Sequence, residues 1–120
     1  MKRLLPILSI VAVLLLLAAP AFAAENHTCD HSNTTIESLH HCVMHAYDMG
    51  HITNAGVRDS LLAKLDAAQA ALDRGQPGVA VNLLHAFVNQ LNAQAGKHIV
   101  ADHAIHLVDH ARNVITALGG

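Results

Sequence analysis

Four stretches of this chain carry apolar residues at helical spacing, each closed by glycine, and no stretch alternates with a period of two. Ile36, Leu39, Val43, Ala46 and Tyr47 stand at i, i+3, i+7, i+10 and i+11, one stripe of a helix that opens near Thr34 or Thr35 and ends at Gly50. Thr53-Asn54 offers a cap for a second helix, with Val57, Leu61, Leu65, Ala68 and Leu72 on its stripe and Arg74-Gly75 as its stop. Pro77 suits the first turn of a third, lined by Val79, Leu83, Leu84, Phe87 and Leu91 until Gly96 interrupts. The fourth runs from about Ile99 to Leu118, with Val100, Leu107, Ala111, Val114 and Leu118 on its apolar side. Helices of this kind must cover their stripes, and short connections make consecutive helices antiparallel neighbours. The expected fold class is all-α, a compact antiparallel bundle of about four short helices.

The bundle is preceded by a different kind of segment. Met1-Lys2-Arg3 is positive, Leu4 to Ala19 is almost wholly apolar, and Pro20-Ala21-Phe22-Ala23 ends with small residues at Ala21 and Ala23. This is the pattern of a cleaved secretory signal peptide, and the apolar run is shorter than the roughly 20 residues a membrane span needs. The expected organisation is a signal peptide at 1–23, a polar lead-in containing His and Cys at 24–34, and a helical domain at 35–120. A secreted or periplasmic location follows, with no membrane span in the processed chain. Removing 23 of the 120 residues leaves 97, enough for one domain with a modest core. Removing Lys2 and Arg3 leaves 5 basic residues against 9 acidic ones, a balance that disfavours nucleic acid as a partner. With no Trp and few other aromatics, the core has to be built from Leu, Val, Ile and Ala.

Between Gly50 and Gly96 the sequence contains Gly-His-Ile-Thr-Asn-Ala-Gly-Val-Arg-Asp-Ser-Leu-Leu-Ala-Lys-Leu-Asp-Ala-Ala, then Ala71-Leu72-Asp73-Arg74-Gly75, Leu84-His85-Ala86-Phe87-Val88-Asn89-Gln90 and Ala93-Gln94-Ala95-Gly96-Lys97. These strings resemble the FIMAH domain, over roughly Ile36 to Leu118. The resemblance implies a short helical module without assigned catalysis, often at the C-terminal end of secreted or surface-attached bacterial proteins, larger hydrolases among them. It implies an accessory role with a protein or cell-surface partner. The chain departs from the family's habit in lacking a large partner domain and in the histidines of its fourth helix.

All eleven histidines fall after the leader. Imidazole on a fixed helix face suits zinc, copper or nickel. His103, His106 and His110 stand at i, i+3 and i+7 on the fourth helix, bordering its apolar stripe, and form one candidate ligand face. His41 and His45 are an i, i+4 pair beside Cys42 on the first helix, and His27, Cys29 and His31 lie in the lead-in. If the lead-in folds back, His27, Cys29, His31, His41, Cys42 and His45 can supply four ligands. Two thiolates with two imidazoles favour zinc, while Met44 and Met49 nearby tilt toward copper. Against this, a solvated helix edge is the simpler account of the fourth-helix trio, and a disulfide between Cys29 and Cys42 is the first reading in an oxidising compartment. His51, His85 and His98 read as surface residues. Cleavage after Ala24 instead of Ala23 would create Glu25-Asn26-His27, a copper-binding amino terminus. Asn26-His27-Thr28 and Asn33-Thr34-Thr35 match the glycosylation pattern.

Protonation of so many histidines would swing the charge of a small domain toward positive between about pH 7.5 and 5, and any imidazole packed neutral at the core would loosen the fold in acid. No catalytic set stands out. Ser38 and Ser60 lack a nucleophile elbow, no phosphate-cradling glycine loop or haem-attachment motif is present, and the carboxylates are scattered over helix exteriors. The sequence therefore points to a non-catalytic interaction module, with a histidine-rich zinc- or copper-binding protein as the alternative.

Overall fold

The computed structural model describes residues 29–120; the expected leader, the Asn26 triplet, the copper-binding amino terminus and His27 lie outside them. Four α-helices follow one another: α1 (Ile36–Asp48), α2 (Ala55–Asp73), α3 (Pro77–Gln94) and α4 (Ala101–Ala117). Each boundary has a local cause. The Thr35 hydroxyl accepts from the Ser38 N–H at 3.1 Å, and the Asn54 side chain accepts from the Val57 N–H at 3.0 Å, so both caps remove an orphan donor. Pro77 occupies the first turn of α3. Gly50 and Gly75 hold φ of 78° and 72°, and the residue after each donates back across the last turn, His51 to the Ala46 carbonyl at 2.8 Å and Gln76 to the Ala71 carbonyl at 2.9 Å. This helix stop needs a left-handed residue, which glycine adopts without strain.

The helices form a closed ring in which each packs on its chain neighbours and α1 meets α4; the α2–α3 contact is the broadest and the α1–α4 contact the narrowest. Two of the connections are tied together at one end of the bundle. The Thr53 N–H donates to the His98 carbonyl at 2.9 Å and the Val100 N–H to the His51 carbonyl at 2.9 Å, bracketing a bridge between the buried residues Ile52 and Ile99. That tie fixes the up-and-down order of the helices. Leu39, Val43, Leu61, Leu65, Leu84, Phe87, Leu91, Leu107 and Val114 fill the interior. Among the described residues no helix is long and apolar enough to cross a membrane.

Two stripe assignments shift. Val79 is 45% exposed, because α3 buries the line through Ala80, Leu84, Phe87 and Leu91, and Val79 sits about 100° round the helix from Ala80. Val100, 46% exposed, caps α4 with extended backbone, while Ile99 turns inward as part of the connection. α4 therefore starts two residues later than the periodicity suggested, since the pairing with Ile52 captures Ile99 first.

Candidate functional site at the seam of α1 and α4

The α4 stripe is Leu107, His110, Ala111 and Val114, at i, i+3, i+4 and i+7. His110 therefore lies within the stripe rather than on its border, and it is the one polar side chain buried among the described residues, with no exposed surface. An imidazole there needs a partner. It finds one in the lead-in: the His110 Nε2–H donates to the Asn33 carbonyl at 2.7 Å. A carbonyl only accepts, so this contact fixes the tautomer and leaves Nδ1 with a bare lone pair. Nδ1 is buried and has no hydrogen-bond partner.

The lead-in reaches His110 because it is folded into a tight turn. The Asp30 carboxylate accepts from both the N–H and the hydroxyl of Ser32, at 2.9 and 2.6 Å, and these bonds hold its pKa below the usual carboxylate range. The Ser38 hydroxyl of α1 donates to the Asp30 carbonyl at 3.2 Å. Cys29 and Cys42 form a disulfide across a Cα–Cα distance of 5.0 Å, fastening the lead-in to α1. His31 follows, with Nδ1 3.7 Å from the Cys29 sulfur and its ring 5.3 Å from that of His110 in edge contact. Burial pushes the His31 pKa down, and the neighbouring imidazoles of His110 and His106 push it further.

The two ligand sets expected from sequence are thus redrawn. One donor atom from each of Cys29, His31, Cys42 and His110 lies within 4.8 Å of the others. Cys29, His31 and Cys42 come from the first expected set and His110 from the second. His106 is exposed, with its ring 5.8 Å from that of His31. His41 and His45 stack with their rings 6.5 Å apart, and neither is among the four residues of the cluster.

His103 has a different partner. It stacks on His51, ring centroids 4.3 Å apart, because the tie between the two connections lays residues 51–53 over the start of α4. His51 is therefore half-buried against His103, where an ordinary surface residue was expected. Burial lowers the His103 pKa to about 4, and His51, His31, His106 and His45 add to the shift by charge repulsion. His85 and His98 are exposed. His40 lies 3.5 Å from Asp66, bridging α1 and α2.

The Ser38 hydroxyl stands 3.4 Å from His110 Nε2, a pairing that resembles a nucleophile and its base. The resemblance fails on tautomer: Nε2 carries the hydrogen held by Asn33 and cannot take a proton from Ser38. Sequence reasoning missed the Asn33 carbonyl and the Ser38 contact. The only available signal was the position of His110 between Leu107 and Val114.

A profile of the FIMAH domain matches residues 36–116 of the chain. No curated protein and no solved structure matches it.

Proposed function

Because the chain belongs to the FIMAH domain family, matched over residues 36–116, we propose that it is an exported, non-catalytic module that works by presenting a rigid helical surface to a protein or cell-surface partner. One observation carries the export reading: the Cys29–Cys42 disulfide, a bond that persists outside the reducing cytosol. The leader pattern at 1–23 agrees with it. The absence of catalysis is supported by the chemistry of the seam, where the buried imidazole is committed to a backbone carbonyl and the neighbouring serine has no base.

The test is to express the full-length chain with its own leader in a bacterial host and to fractionate the cells. The expected product is recovered from the periplasm or medium, starts at Ala24 by intact mass, and contains no thiol that reacts with an alkylating reagent. An unprocessed cytosolic chain with two reactive cysteines would contradict the proposal.

A further inference from the structure

We propose that Cys29, Cys42, His31 and His110 form a redox-gated zinc site: a dithiol reductant opens the disulfide, and the freed thiolates and two imidazoles then take one zinc ion. The inference stands apart from the surface-module reading, and either can fail alone.

The donor set and its spacing carry the argument. With zinc bonds of about 2.3 Å to sulfur and about 2.0 Å to nitrogen, tetrahedral ligands stand about 3.3–3.8 Å from one another. The four donor atoms here lie within 4.8 Å of each other, and the Cys29 sulfur is already 3.7 Å from His31 Nδ1. Half of the set is rigid: Cys42 and His110 are fully buried on α1 and α4. The other half, Cys29 and His31, sits two residues apart on the lead-in, which can adjust once the disulfide opens.

His110 is already arranged as a metal ligand. Its Nε2–H is held by a backbone carbonyl, the outer contact that orients ligating histidines, and the nitrogen left over is a buried lone pair with no partner. Two sulfurs with two nitrogens in a tetrahedron select zinc. Copper is the weaker fit, since Met49, which the sequence offered as a soft ligand, is 61% exposed.

The chemistry balances. The dithiol gives up two electrons and two protons and closes to its own disulfide, while the Cys29–Cys42 bond becomes two thiols. Zinc then displaces the two thiol protons to solvent and binds both thiolates and both neutral imidazoles.

The test titrates zinc, then cobalt(II), into the full chain before and after reduction by a dithiol whose excess is removed under argon. The reduced protein should bind one zinc with a raised melting temperature. With cobalt it should show a sulfur-to-metal charge-transfer band and the intense visible bands of a tetrahedral site. The oxidised protein, His31→Ala and His110→Gln should each bind at least about a hundredfold more weakly, since even an outer contact is worth 10–100-fold. His98→Ala should match the parent. If His110→Gln does not fold, His31→Ala and the cobalt spectrum decide alone. No uptake by the reduced protein at micromolar zinc would overturn the proposal, as would equal uptake by the oxidised protein or by His31→Ala.

Discussion

The α2–α3 hairpin and the α1–α4 seam solve the same packing problem with different materials. α2 and α3 are joined by three residues and bury Leu61, Leu65, Ala68, Leu84, Phe87 and Leu91 against one another and the core. Their polar contact is kept at the edge, where Lys64 donates to the Gln90 side-chain oxygen at 2.7 Å and Ser60 to the same atom at 3.1 Å. The seam brings together segments 77 residues apart, places an imidazole inside, and relies on one carbonyl and one disulfide to make that tolerable. The hairpin is held chiefly by burial, with its polar contacts at the edge, so its stability follows mainly from area. The seam is held by specific bonds, so its stability depends on redox state and pH.

The largest effect that tests this contrast belongs to the hairpin. Phe87→Ala should cost about 3–5 kcal/mol in urea unfolding, because the cavity cannot be filled by a neighbour of similar size. A loss below about 1 kcal/mol would mean that the dry core is not where the stability lies. Next comes the seam. Reducing the disulfide in the presence of a chelator should cost about 3 kcal/mol, given the 13-residue separation it closes. Hydrogen exchange should then rise in residues 29–48 well before it rises in α2 and α3.

The smallest effect is in acid. His103 has a folded pKa of about 4 against an ordinary 6.5, so above 6.5 it is neutral in both states and its contribution is intact. As pH falls from 6.5 toward 4 the unfolded chain takes up a proton that the folded one resists, and stability falls. His31 acts in the same direction. The melting temperature should therefore drop by several degrees between pH 7 and pH 4.5, and His103→Gln should flatten the slope. α2 and α3 carry one histidine between them, the exposed His85, so the loosening should begin at the seam.

The hairpin was legible in the sequence because everything that shapes it is local: Asn54 caps, Gly75 stops, and leucines recur with the helical period. Even there Val79 was misplaced, since periodicity gives the width of a stripe better than its centre. The seam was half legible. Of the set His27, Cys29, His31, His41, Cys42 and His45, the structure brings Cys29, His31 and Cys42 together, and it joins to them His110 instead of His41 or His45. His110 was placed with His103 and His106 on the border of the α4 stripe, because nothing local announces that a backbone carbonyl 77 residues away will meet it. His51 was missed for the same reason, its burial being a product of the Ile52–Ile99 bridge.

The account turns on how His110 is held, and long-range proton–nitrogen correlation NMR of the imidazoles reads that directly. At neutral pH His110 should give the Nε2–H tautomer, with a slowly exchanging proton and an unprotonated Nδ1. A spectrum showing the Nδ1–H tautomer, or the averaged signals of a solvent-exposed ring, would contradict it.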